Sequence, residues 1–144
     1  MKSLEKKLHA VAEDFGLEAA YLFGSRARKA AGRLGGREEE PEDEEVTTSD
    51  LDIGVKPLPG VRFSVKEKSH LACALEDLFS VARVDLVVLP EADPFLAANV
   101  IRGERVFHRD SDKADEYDLY VLRRAGDLAP LERERMALIL EVGA

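Results

Sequence analysis

Between Asp50 and Val55 the chain alternates without a break, with Asp50, Asp52 and Gly54 on one side and Leu51, Ile53 and Val55 on the other. A period of two is the signature of a strand with one buried face, and it fixes the direction of every side chain in the segment. The apolar row must meet a core, so Asp50 and Asp52 leave the opposite face together. Alternate residues on a strand stand about 6.5–7 Å apart, a separation at which two carboxylates can share a pair of hard cations. Pro57, Pro59 and Gly60 end this strand.

A second alternating strand runs from Val84 to Leu89 and is closed by Pro90. Asp85 faces away from its neighbours Val84 and Leu86. If the two strands lie side by side, Asp50, Asp52 and Asp85 converge on one exposed patch. Converging carboxylates raise each other's affinity for protons. Oxygen-ligated Mg²⁺ relieves that repulsion and keeps sites open for water and substrate phosphates. A D-x-D pair is common, however, and alone it reads more often as the solvated side of an edge strand.

The rest of the chain supplies helices at regular intervals. Leu4, Leu8, Val11 and Phe15 mark an amphipathic first helix ending near Gly16, and Ala19 to Phe23 is a short buried strand. Arg26 to Ala31 favours helix and stops at Gly32. Ser64 and Glu67 form a capping box before a helix whose apolar face is Leu71, Leu75, Leu78 and Phe79. The lone cysteine, Cys73, falls among these residues and is expected in the core. It excludes an intrachain disulfide and a cysteine metal cluster.

Asp93-Pro94 opens a helix to about Arg102, Arg105 to His108 adds a short strand, and Ser111–Leu128 and Pro130–Val142 predict two closing helices. This order predicts a mixed α/β (α+β) domain. Residues 1–110 form its body, and the helices of 111–144 either pack on it or dock a partner. His9, His70 and His108 are scattered, without partners at ligand spacing.

Charge is concentrated in one place. The 144 residues carry 29 acids against 21 Lys and Arg, a net of -8. Seven of those acids lie in Glu38–Glu45, and without them the rest holds 22 acids against 21 bases. The body is therefore nearly balanced, which argues against direct nucleic-acid binding. The stretch 33–48 has no periodicity and is expected to be a mobile acidic insertion. No apolar run approaches the length of a membrane span, and no signal peptide is evident, so a cytoplasmic location is expected.

Gly24 and Ser25 stand between the strand ending at Phe23 and the helix that follows. Glycine lets backbone N–H groups approach a phosphate, and the helix start favours an anion. Ser25 can donate a hydrogen bond there, while Arg26 and Arg28 bring positive charge nearby. Alone, a Gly-Ser turn is often a cap. A phosphate turn, then a D-x-D strand, then a strand bearing a third Asp, is far more specific.

The segments Leu22–Arg28, Ser49–Val55 and Val84–Leu89 resemble the minimal nucleotidyltransferases, small members of the polymerase-β-like superfamily often paired with HEPN-domain proteins as toxin and antitoxin. The resemblance extends through Val100–Phe107 and covers nearly the whole chain. It implies a polymerase-β-like fold, a small mixed sheet flanked by helices. It also implies that Gly24 and Ser25 hold the outer phosphates of ATP, with Arg26 and Arg28 beside them. Asp50 and Asp52 would ligate two Mg²⁺ ions, and Asp85 would complete the site that activates an attacking hydroxyl. The implied reaction moves AMP from ATP to a tyrosine of a HEPN-type toxin.

The insertion at 33–48 departs from the family, whose turn and D-x-D strand lie closer together, and its seven acids would repel ATP unless the loop points away from the triphosphate site. Two other functions compete: an antitoxin that acts by binding alone, and nucleotidyl transfer to a small molecule such as an aminoglycoside. The apolar residues near the C-terminus, from Met136 to Val142, exceed one narrow buried stripe and favour docking, to a HEPN-type partner or by self-association.

Overall fold

The computed structural model describes residues 2–34 and 50–142. Helix α1 (Lys2–Phe15) leads into strand β1 (Leu17–Phe23), and a turn at Gly24 opens helix α2 (Ala27–Leu34). Strand β2 (Asp50–Pro57), helix α3 (Val65–Phe79) and strand β3 (Arg83–Val88) follow as a crossover unit. A short 3₁₀ turn (Leu89–Glu91), helix α4 (Pro94–Ile101), strand β4 (Glu104–His108) and helix α5 (Ser111–Val142) complete the chain.

The four strands form one mixed sheet in the order β3-β2-β1-β4. β1 is antiparallel to both β2 and β4, while β2 and β3 run parallel. The α/β architecture expected from the order of elements is the one observed.

Each face of the sheet has its own core. On one face Ala20, Leu22, Leu51, Ile53 and Val55 pack with Leu8, Leu71, Leu75 and Phe79 from α1 and α3. On the other, Ala19, Tyr21 and Phe23 pack with Ala97, Ala98 and Val100 of α4 and Val121 and Ala125 of α5. All seven residues of β1 are buried, as a strand covered on both faces requires.

β2 differs from the single-faced strand expected of its alternation. Its middle is buried on both faces because α4 comes down onto Gly54, where a Cβ would stand 2.3 Å from Val100 Cγ1. On the aspartate face Asp50 is exposed, and Asp52 and Lys56, on either side of Gly54, are half-buried.

Local capping signals act where the sequence places them. Ser64 Oγ accepts from Glu67 N and the Glu67 carboxylate accepts from Ser64 N, each at 3.1 Å. Asp93 accepts from Phe95 N at 2.9 Å and Leu96 N at 3.0 Å. Each such cap contributes about 1 kcal/mol.

Three expectations are corrected. Cys73 is exposed rather than in the core, because it lies two residues from both Leu71 and Leu75 and so on the far side of α3. α2 continues past Gly32 to Leu34, whose buried side chain joins the α1/α3 core and outweighs the weak helix preference of glycine. The expected mobile insertion therefore cannot begin at Arg33, and from residue 35 to its end it lies outside the described residues. Third, the two closing helices are one, with Pro130 inside it. Proline removes one backbone bond, to the carbonyl of Gly126. Gly126 is exposed, so water can satisfy that carbonyl. Leu128, Ala129, Leu131 and Glu132 are strong helix formers on either side.

α5 is tied down only along its first half. Ala114, Val121 and Ala125 are buried, whereas Leu131, Met136, Leu138, Ile139 and Leu140 are exposed. The late apolar residues thus do not complete the core. No helix among the described residues is long and apolar enough to cross a membrane.

A polar network fixes the first half of α5. The fully buried Tyr21 donates its hydroxyl proton to Asp118 Oδ1 at 2.5 Å. Arg105 donates to Asp118 at 2.9 Å and to Asp115 at 2.8 Å. Burial and the hydrogen bond to Asp118 push the Tyr21 phenol far above its ordinary range, so it stays a donor at any working pH. Asp118→Ala strands both that hydroxyl and part of the guanidinium, and should cost about 2–3 kcal/mol in urea unfolding. Tyr21→Phe, which leaves Asp118 paired with Arg105, should cost less.

Candidate active site

The aspartates gather at one end of the sheet because of strand register. β2 and β3 pair so that Asp50 lies opposite Arg83 and Asp52 opposite Asp85. Register partners in a sheet share a face, so Asp52 and Asp85 project side by side. On the other flank, Asp52 is the partner of Phe23, the last residue of β1. The turn at Gly24 therefore begins directly beside the Asp52 carboxylate.

That turn needs glycine twice over. Gly24 has φ +80°, a left-handed conformation, and a Cβ there would come within 2.4 Å of Asp52 Oδ2. The Gly24 carbonyl accepts from Ala27 N at 3.3 Å, which bends the chain into α2. Gly24 and Ser25 are exposed at the start of that helix, Arg26 is half-buried and Arg28 is exposed. The turn and the carboxylates thus form one continuous surface, open to solvent.

Electrostatics mark Asp52 as its centre. Burial holds the Asp52 carboxyl above its ordinary range, and the negative charges of Asp85 and Asp50 and a hydrogen bond with Asp85 add to the shift. Arg83, which the sequence reading passed over, sits in the same row. Its Nε lies 3.3 Å from Asp85 Oδ1. The signal for it was available, since a residue two before Asp85 on a strand must share its face.

The donor set is all carboxylate oxygen and short of positive charge, which suits a hard divalent cation such as Mg²⁺. As the side chains stand, no three His, Cys, Asp or Glu residues among the described residues are arranged to hold an ion. Asp50 is exposed at the first residue of β2, and Asp85 is paired with Arg83.

The raised proton affinity of Asp52 has a defined consequence for stability. A carboxyl that binds its proton more tightly when folded favours the folded state below its unfolded value of 3.8. That contribution is lost as pH rises through the folded value, so at neutral pH the ionised Asp52 opposes folding. Asp52→Asn should therefore melt at a higher temperature than the parent at pH 7. The gain should disappear below pH 3.8, where the parent is protonated.

No curated protein matches the chain in sequence. Solved structures share its fold across nearly all of its length, three of them as follows. One is a toxin–antitoxin crystal structure with AMP-PNP, at 24% identity over 97% of this chain and 98% of that chain, with a TM-score of 0.64. The toxin–antitoxin MntA-HepT matches at 21% identity over 100% of both chains, with a TM-score of 0.65. The third is a tri-AMPylated Shewanella oneidensis HEPN toxin in complex with MNT antitoxin, at 21% identity, covering 99% of this chain and 98% of that chain, with a TM-score of 0.65. The family described as polymerase beta, nucleotidyltransferase, matches residues 6–112, from α1 to the start of α5 and across all four strands. By that match this chain belongs to the polymerase-β nucleotidyltransferase family.

Proposed function

We propose that this protein moves AMP from ATP to a hydroxyl group, and that the acceptor is a tyrosine of a HEPN-type toxin for which it serves as antitoxin. The observation that carries this reading is the juxtaposition of Asp52 with Asp85 on adjacent parallel strands, with the Gly24 turn beside them. Further support comes from structures of the same fold with AMP-PNP and with an AMPylated HEPN toxin.

Each residue has a part in this chemistry. Gly24 and Ser25 would receive the outer phosphates, with backbone N–H groups of the turn and the Ser25 hydroxyl as donors. Arg26 and Arg28 would add positive charge beside a substrate that carries several negative charges. Asp50, Asp52 and Asp85 would hold divalent metal, which when bound lowers the pKa of the acceptor hydroxyl and balances charge on the departing pyrophosphate. The acceptor hydroxyl gives its proton to solvent, its oxygen forms a bond to the α-phosphorus, and the bond from that phosphorus to pyrophosphate breaks to release pyrophosphate. The exposed apolar half of α5, from Leu131 to Leu140, offers a surface on which the toxin would seat.

A second reading, neutralisation by contact alone, draws on the exposed apolar half of α5, which would seat a partner without any transfer. Incubation with a HEPN-type protein, ATP and Mg²⁺, followed by mass spectrometry, separates the two. AMP should appear on a toxin tyrosine, and Asp52→Asn or Asp85→Asn should slow its appearance at least about 100-fold. A stable complex with no AMP added, under every nucleotide and metal supplied, would favour contact alone.

The turn makes a separate expectation. Gly24→Val forces a side chain into Asp52 and blocks the phosphate approach together, whereas Ser25→Ala removes one hydrogen bond of about 0.5–1.5 kcal/mol. Calorimetry should find ATP binding much weaker in Gly24→Val than in Ser25→Ala.

A further inference from the structure

Arg83 stands within the carboxylate row, yet the transfer described above assigns it nothing. It opens β3 as the register partner of Asp50, two residues before Asp85. The face therefore carries a two-by-two array, with Asp50 beside Arg83 and Asp52 beside Asp85. Arg83 Nε lies 3.3 Å from Asp85 Oδ1. The Arg83 side chain is 68% exposed, so the pair contributes little to folding.

Its effect on a second cation is another matter. A guanidinium cannot shed its proton to make room, because arginine stays charged at every working pH. A divalent cation approaching Asp85 must either draw the carboxylate away from Arg83 or bind beside a fixed positive charge. Both routes weaken binding, and neither depends on the exact path.

We propose that Arg83 is the resident counter-ion of the carboxylate row and competes with divalent metal for Asp85, so that the row holds metal weakly on its own. This rests on the reading that Asp50, Asp52 and Asp85 form the metal site. A nucleoside triphosphate alters the balance, because its phosphates supply metal ligands and give the freed guanidinium an anion to face. Metal and nucleotide then bind best together, and in the empty site the arginine offsets part of the negative charge of the row.

The test is calorimetric titration of the full-length protein with Mn²⁺, without nucleotide and at low salt, with thermal melting to verify that each variant folds. Arg83→Gln should bind Mn²⁺ about 3- to 10-fold more tightly than the parent. Arg83→Lys, which keeps the charge, should stay within about twofold of it. The gain in Arg83→Gln should shrink at high salt, as screening predicts. Equal or weaker binding by Arg83→Gln, with Asp52→Asn still abolishing it, overturns the role of Arg83 and leaves the metal site standing. No Mn²⁺ binding by parent or Arg83→Gln, even with a non-hydrolysable ATP analogue, overturns the metal site and this inference together.

Discussion

Parallel strands cannot be joined by a tight turn, so β2 and β3 meet only because α3 carries the chain back across the sheet. The register of that meeting decides everything at the aspartate end. Shifting β3 by one residue would turn Asp85 to the opposite face, toward the α1/α3 core, and leave Asp52 beside an apolar neighbour. What resists the shift is burial, with Val84 and Val88 held in the core between Leu51, Ile53, Leu75 and Phe79. Glu76 adds a specific pin, accepting from Val84 N at 3.0 Å. The geometry of the acids is thus set by apolar packing on the face they do not occupy.

A division of labour between the two faces follows from this. The α1/α3 face carries the larger continuous core and supplies rigidity. The opposite face is covered by α4 and the first half of α5 but stops short of the first residues of β2. That missing cover leaves a charged end open to solvent beside the part of the face that α4 and α5 bury. β1 is an interior strand buried on both faces, and Tyr21, Asp118 and Arg105 lock α5 across it without touching Asp50, Asp52 or Asp85.

Much of this was legible in the sequence, for reasons that differ by residue. The alternation of Asp50–Val55 and the capping residues Ser64, Glu67 and Asp93 act within a few residues of themselves, so pattern alone locates them. Adjacency of Asp52 and Asp85 was conditional on strand order, which no local pattern encodes. Cys73 misled because apolar neighbours in sequence are not neighbours on a helix face. Pro130 misled because a breaker is judged locally, while the helix around it is held by good formers and by a solvated carbonyl. Gly54 entered the alternation as one more residue of the polar row, whereas its missing side chain is what lets Val100 of α4 pack onto the strand.

Gly54 and Asp52 lie two residues apart on the same face, and replacement should cost folding at 54 and, on the proposed reading, transfer at 52. Their reasons are unrelated, so their failures should be repairable in different ways. A side chain at position 54 collides chiefly with Val100 Cγ1, while the Val100 Cβ lies 3.4 Å away. Trimming Val100 to alanine would make room for an alanine at 54, one void offsetting one intrusion. No change in a neighbour can restore a carboxylate lost from 52. A pairwise substitution map would therefore separate shape from chemistry within a single strand, in positions that a list of intolerant residues would record as equivalent.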